Sequence, residues 1–273
     1  NDSVFNTSDL TYKYKTNFQV NYVTNTGTTS KVRDFSTTAS YDARGNVLKN
    51  GNNNRSFKYN LANQMTESGT NRYVYDGYNR RVKTEDSKGT SYSFYSQGGK
   101  LLYRETPQGG INYVFLGSKL IAKEGTGVVA VEDSIMNYKP FGESIEEPKD
   151  DVGFTGHKFD TDLGLSYMQA RYYDPVIGRF YSNDPIGLRG IHSFNRYAYA
   201  NNNPYQYIDP NGMESDLTAS QKRLHKAVKE ANKHVRRRGY KHFVENRRIK
   251  VNTGGGDTSI RVVDIIATKG TET

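Results

Sequence analysis

Tyr41-Asp42-Ala43-Arg44-Gly45-Asn46-Val47-Leu48 is echoed by Tyr59-Asn60-Leu61-Ala62-Asn63-Gln64-Met65 and again by Tyr75-Asp76-Gly77-Tyr78-Asn79-Arg80-Arg81-Val82. Degraded copies follow at Tyr95-Ser96-Gln97-Gly98-Gly99-Lys100-Leu101 and around Tyr113-Val114-Phe115-Leu116-Gly117-Ser118. The Tyr-to-Tyr spacings of 18, 16, 20 and 18 residues suit one β-hairpin per unit, two strands of about six residues and two turns. Each unit has an aromatic strand, an Asx- or Gly-bearing turn and a returning strand such as Arg81–Glu85 or Lys100–Arg104. A lone hairpin cannot bury its apolar face, so the units must stack side by side. No helical periodicity interrupts the chain before residue 214. The expected fold is mainly β, with stacked antiparallel hairpins building a curling sheet over residues 1–150. Residues 1–40, polar and rich in Thr, Ser and Asn, predict short strands.

Beyond the repeats, Glu143-Ser144-Ile145-Glu146-Glu147-Pro148-Lys149-Asp150-Asp151 reads as a solvated acidic crossing. A denser segment begins at Phe154-Thr155-Gly156-His157-Lys158-Phe159-Asp160. It continues through Gly164-Leu165-Ser166-Tyr167-Met168-Gln169-Ala170 into Arg171-Tyr172-Tyr173-Asp174-Pro175-Val176-Ile177-Gly178-Arg179-Phe180. Asp184-Pro185-Ile186-Gly187-Leu188 and Asp209-Pro210-Asn211-Gly212-Met213 complete a set of three Asp-Pro turns. Asp first, Pro second and Gly fourth is a type I turn signature. These turns are either architecture alone or a means of presenting Asp184 and Asp209 beside a peptide bond to be cut. Two carboxylates held close share a proton readily, one serving as acid and the other as base. Arg179 could hold a carboxylate or the scissile carbonyl, since its fork suits both. Asp174 reads as structural, and His157 has no second metal-ligand candidate beside it.

Composition narrows the chemistry. Val, Ile, Leu and Phe together supply only about a fifth of the residues, near the range where disorder begins. The 22 Tyr, with no Trp, replace the missing apolar area on strands. The absence of Cys removes disulfides, thiolate zinc sites and a cysteine nucleophile. No apolar run reaches membrane-spanning length and no secretory signal opens the chain. Because the first residue is Asn1, the expectation is a piece of a longer polypeptide. Of the 38 Lys and Arg, 14 follow Met213 against 7 of the 29 Asp and Glu, so the basic balance belongs to the tail.

The ordered motifs from Phe154 to Met213, with Asn195-Arg196-Tyr197-Ala198-Tyr199 and Asn201-Asn202-Asn203-Pro204 between the turns, resemble the rearrangement-hotspot (RHS) and YD-repeat family. The resemblance covers residues 40–213. It implies a curled shell that encloses a cargo, a core at 151–213 that cuts the chain as an aspartyl self-cleaving protease, and release of a toxin segment at 214–273. It places the scissile bond between Met213 and Glu214, with Met213 where the family often has Leu. No cofactor is implied for self-cleavage. Partners implied are the chain's own tail as cargo, an immunity protein and a secretion machine, type VI secretion being one such route. The chain would be made in the cytoplasm, secreted and delivered into target cells.

The tail predicts a small α+β segment. Thr218-Ala219-Ser220-Gln221 has capping-box spacing, and Leu224, Ala227, Val228, Ala231 and Val235 recur at helical intervals until Gly239. Ile249-Lys250-Val251 and Ile260–Ala267 read as strands around a Gly254-Gly255-Gly256 turn. A basic helix followed by a hairpin resembles the start of a nuclease, with Asp264 as a divalent-metal ligand and Arg236, Arg237 and Arg238 as nucleic-acid contacts. A toxin of other chemistry and a solvated basic extension stay open. For the whole chain, a non-catalytic YD-repeat module binding carbohydrate or a cell surface through Tyr faces is the alternative function.

Overall fold

The computed structural model describes residues 10–17, 19–116, 119–128, 136–186, 195–213 and 215–217, helical residues 222, 223, 226, 229, 230 and 233, and the backbone of 240–252 and 258–269. β1 (Leu10–Tyr14), β2 (Val20–Asn25) and β3 (Lys31–Asp34) form a three-stranded antiparallel sheet, and β4 (Lys49–Asn50) pairs with β5 (Arg55–Ser56). Next come β6 (Lys58–Tyr59), β7 (Met65–Ser68), β8 (Asn71–Tyr75), β9 (Arg81–Asp86), β10 (Gly89–Tyr95), β11 (Leu101–Thr106), β12 (Gly109–Leu116) and β13 (Lys119–Glu124). These eight make one open meander in which each strand pairs with its sequence neighbour. β14 (Lys158–Asp160), β15 (Leu165–Met168), β16 (Arg171–Asp174) and β17 (Arg179–Phe180) form a four-stranded core sheet. Short strands β18 (Tyr207–Ile208) and β19 (Asp216–Leu217) flank the last Asp-Pro turn.

The repeat has a definite backbone basis. Tyr14, Tyr41, Tyr59, Tyr75, Tyr95 and Tyr138 each pair with the residue six positions later, Val20, Val47, Met65, Arg81, Leu101 and Ser144. The residue after the Tyr closes the turn by donating its N–H to a carbonyl four residues on, as in Asp42 to Asn46, Asn60 to Gln64, Asp76 to Arg80 and Ser96 to Lys100. The third residue beyond that donor folds back and lies in the left-handed region: Gly45, Asn63, Asn79, Gly99 and Gly142 have φ of +84°, +60°, +63°, +82° and +88°. Gly and Asn tolerate that conformation, which explains their recurrence at this position. Asp42, Asn60 and Asp76 then cap the turn, each Oδ1 accepting the N–H groups two and four residues ahead.

The fifth copy departs from this pattern. Tyr113 sits inside β12, opposite Lys123, and the hairpin closes at Leu116 with Lys119. Val114 stands where the turn-capping Asp would be, so nothing ends the strand after Tyr113. Conversely, Tyr14 and Tyr138 are copies that the sequence alone does not reveal, because Lys15 and Lys139 replace the Asx.

Tyr rings supply the core. Tyr73, Tyr167, Tyr172 and Tyr181 pack with Val23, Phe35, Phe57, Met65 and Leu165, and a second cluster joins Met168, Tyr173, Phe180 and Tyr199. Buried ion pairs fasten the sheets together. Arg81 of β9 reaches Asp160 of β14 through two bonds of 2.5 and 3.0 Å while lying among the Tyr73, Tyr167 and Tyr172 rings. Arg33 of β3 forks onto Asp174 of β16. The acidic crossing is more than a solvated loop: Asp150 meets Lys158 and Lys88, and Asp151 meets Lys123 and Tyr113. Lys158, buried on β14, requires the counter-charge that Asp150 supplies.

Two compact units result, Asn1–Asp216 and Leu217–Thr273. The repeats and the Asp-Pro core share the first. In the second, the described residues between 222 and 233 are helical, and β20 (Tyr240–Asn252) pairs with β21 (Thr258–Lys269). β20 starts nine residues before the expected Ile249 strand, since pairing with the apolar β21 carries its charged residues into the ladder. Among the described residues, no helix is long and apolar enough to cross a membrane.

Candidate active site

β16 opens with Arg171 directly after a tight turn at Gln169 and Ala170, where Gln169 adopts φ +58°. All four residues of β16 are buried, and Arg171 is 4% exposed. A guanidinium at that depth demands compensation by charge and by hydrogen bonds. Its Nη2 lies 3.2 Å from Asp209 Oδ2 and 3.4 Å from Asp184 Oδ2. Nη1 donates to the Arg196 carbonyl at 3.1 Å, and Nε donates to the Gly212 carbonyl. The Phe180 ring closes the other side, its centroid 3.6 Å from the guanidinium carbon. Burial pushes the Arg171 pKa below its usual value against the opposing pull of Asp184 and Asp209.

Asp209 is 2% exposed. Its Oδ1 accepts the N–H of Met213 at 3.1 Å and that of Asn211 at 3.4 Å, and Asn211 Oδ1 also accepts the Met213 N–H at 3.0 Å. The Asp209 carbonyl meets His157 Nε2 at 2.9 Å. Burial holds His157 below the usual imidazole pKa, which favours the neutral ring donating to that carbonyl. Asp184 is partly exposed. Its Oδ1 accepts the Ile186 N–H at 2.8 Å, its own N–H donates to the Arg196 carbonyl at 3.0 Å, and the Arg196 side chain donates to its carbonyl.

The last turn is pinned against the β15–β16 turn. Ala170 N–H donates to the Asn211 carbonyl at 3.1 Å. Gly212 has φ +71°, and a Cβ there would come within 2.1 Å of the Met168 carbonyl. Conformation and close approach both require glycine at that position.

The structure thus brings Asp184 and Asp209 together through Arg171. Arg179 lies elsewhere: its Nη1 donates to the Gly178 carbonyl and Asn202 Oδ1, both at 2.9 Å, and its guanidinium covers the Tyr12 ring. The short β17 strand turns Arg179 toward the N-terminal sheet, so the fork that meets the carboxylates belongs to Arg171. Asp174 is held by Arg33 and Tyr181 as part of the sheet tie. Nothing local in the sequence marks the contacts that Arg171 and His157 make with the last turn, because both depend on burial. Glu214, Arg236, Arg237 and Arg238 lie outside the described residues. Asp264 falls on β21 between Val263 and Ile265, which pair with Arg247 and Glu245. Among the described residues, no group of three or more His, Asp or Glu is placed to hold a metal ion.

A meander of Tyr-Asx hairpins, closed on a core that joins two Asp-Pro turns, defines a YD-repeat β protein. No protein-family model matches the chain. It is 31% identical over 211 residues to the tRNA3(Ser)-specific nuclease WapA of Bacillus spizizenii, covering 67% of this chain and 9% of that protein. It is 41% identical over 71 residues to the probable deoxyribonuclease RhsA of Dickeya dadantii, covering 26% of this chain and 5% of that one. The Tc holotoxin pore of Photorhabdus luminescens shares the fold over 76% of this chain and 13% of its own, with a TM-score of 0.50 at 16% identity. The chain belongs to the RHS/YD-repeat family, among relatives that carry nuclease names. It spans less than a tenth of the length of the nuclease relatives it matches.

Proposed function

We propose that this chain is part of an RHS-type toxin whose core hydrolyses its own backbone after Met213 and frees the basic segment that follows. The observation that carries this reading is the meeting of Asp184 and Asp209 at one Arg171 nitrogen, beside the backbone of Gly212 and Met213. In the proposed reaction one carboxylate takes a proton from a water molecule as the water oxygen bonds to the Met213 carbonyl carbon. The other carboxyl group gives a proton to the Glu214 nitrogen as the peptide bond breaks, leaving a new carboxylate and a new amine. Arg171 holds both acids and the Gly212 carbonyl in register, the task the sequence suggested for Arg179.

The test is intact mass under denaturing conditions for wild type, Asp184→Asn and Asp209→Asn. Two fragments meeting between Met213 and Glu214 in wild type, and one uncut chain in both variants, are expected. An uncut wild type, or a cut that persists in both variants, would reduce the site to architecture.

For the freed segment, the nuclease names of the relatives support nucleic acid as the target, with Arg236, Arg237 and Arg238 as phosphate contacts. A divalent metal held by Asp264 belongs to the same proposal. An immunity protein and a secretion machine that delivers the chain into target cells complete the proposal.

A further inference from the structure

The turns of the repeats do more than end strands. They touch one another in series: Asn46 Nδ2 donates to Asn63 Oδ1 at 2.9 Å, Gln64 Nε2 to Asn79 Oδ1 at 2.9 Å, and Arg80 Nη1 to the Ser96 carbonyl at 2.8 Å. The series spans the four consecutive turns at Asp42, Asn60, Asp76 and Ser96, and both of its ends grip the Asp-Pro core.

At the first end, the Asp42–Asn46 turn holds the two residues that flank the Asp184 pairing. Asn183 Nδ2 donates to the Arg44 carbonyl at 2.7 Å, and the Tyr197 hydroxyl donates to the Gly45 carbonyl at 2.7 Å. Asp184 and Arg196, one residue inward on each segment, pair with each other and both meet Arg171. The turn is also closed sterically, since a Cβ on Gly45 would lie 2.2 Å from Asn183 Nδ2 and 2.6 Å from the Tyr197 hydroxyl. At the other end, Gln169 Nε2 donates to the Gly99 carbonyl at 3.0 Å. Gln169 directly precedes Ala170, which bonds Asn211, and Arg171, which bonds Gly212.

We infer that the first and fourth repeat turns are positioning elements of the cleavage site, with Asn183 and Gln169 as the positioning residues that transmit repeat geometry to Asp184 and to the Asp209–Met213 turn. This rests on the self-cleavage reading proposed above. Its consequence is that cleavage waits for the repeats to stack. A chain whose turn series is displaced folds its core yet cuts slowly, because each carboxylate is then held from one side only.

The experiment follows the full chain after translation in a cell-free system, recording the first-order rate of cleavage and its final extent. Gly45→Ala drives a methyl into Asn183 and Tyr197. Gly69→Ala is the control, because Gly69 also has positive φ (+60°) but nothing lies within 4 Å of an added Cβ. Gln169→Ala removes the second grip. The expected result is a rate at least about 10-fold lower in Gly45→Ala and Gln169→Ala, with the final extent retained, and a wild-type rate in Gly69→Ala. Wild-type rates in Gly45→Ala and Gln169→Ala would overturn the inference. So would a reduced extent at unchanged rate, since that reports lost folding and no effect on the site. Asp209→Asn runs alongside, and cleavage there at the wild-type rate would instead overturn the self-cleavage reading itself.

Discussion

Arg171 shows how much a single side chain can decide. Its guanidinium touches two carboxylates and two backbone carbonyls, a set that only a planar five-donor fork can reach from one position. Arg171→Lys keeps the charge but loses the simultaneous contacts. On the proposed self-cleavage, the expected outcome is a cleavage rate lower by about 100-fold, since misplacement of reacting groups by an ångström costs that much. Time-resolved intact mass measures it, and a rate within a few-fold of wild type would show that charge alone suffices. The three Asp-Pro aspartates also separate at this scale. Their turns are alike, each Oδ1 accepting the N–H two residues on, so local sequence treats them equally. Asp174 is distinguished only by the Arg33 and Tyr181 side chains that consume its oxygens.

At the level of the hairpin, each turn depends on a capping side chain as well as on a left-handed Gly or Asn. Asp76 is the fullest case: Oδ1 accepts the N–H groups of Tyr78 and Arg80, and Oδ2 accepts Arg80 Nε at 2.8 Å. The Arg80 pair holds the Asp76 carboxyl below its usual range even though partial burial opposes it. Asp76→Ala leaves those donors to water and is expected to cost about 1–2 kcal/mol, read as a lowered urea midpoint at unchanged slope. A loss below about 0.5 kcal/mol would mean that the Asn79 conformation alone sustains the turn. The turn chemistry was legible in the sequence for the copies at Tyr41, Tyr59, Tyr75 and Tyr95, where an Asx or Ser follows the Tyr. It was not legible at Tyr14 and Tyr138, where Lys follows, nor at Tyr113, where an uncapped strand runs on.

Across the first unit, buried ion pairs join sheets that are far apart in sequence. Arg81 and Asp160 lie 4% and 7% exposed, so removing one partner strands the other in an aromatic cage. Asp160→Ala is expected to cost about 3–5 kcal/mol in urea unfolding. A cost near that of an exposed pair, under about 1 kcal/mol, would show that water reaches Arg81. The same network sets an acid limit. Burial pushes Asp160 and Asp150 up, but Arg81 and Lys158 for Asp160, and Lys158 and Lys88 for Asp150, outweigh it and hold both carboxyls below the usual range. Because the folded values are depressed, their stabilisation is complete above the unfolded carboxylate value of about 4 and is lost as pH falls through the folded values. Urea midpoints measured from pH 6 to pH 2 should therefore fall more steeply in wild type than in Asp160→Ala. Parallel curves would remove the network from the account of acid stability.

Period, turn residues and tyrosine content were enough to settle a mainly β chain of stacked hairpins, and the Asp-Pro motifs were enough to mark three turn aspartates, Asp174, Asp184 and Asp209, without separating them. These are consequences of local chemistry: a left-handed turn position admits Gly or Asn, and an aromatic strand needs a neighbour to cover it. Which arginine serves the aspartates, which histidine backs the last turn and which turns grip the core were decided by tertiary packing. Arg171 and Arg179 sit eight residues apart in one motif and carry the same charge. Only the path of the chain through β16 and β17 sends one toward both carboxylates and the other toward Tyr12. A buried charge takes its meaning from the groups folding brings around it, and for Arg171 those groups lie up to 41 residues away in the sequence.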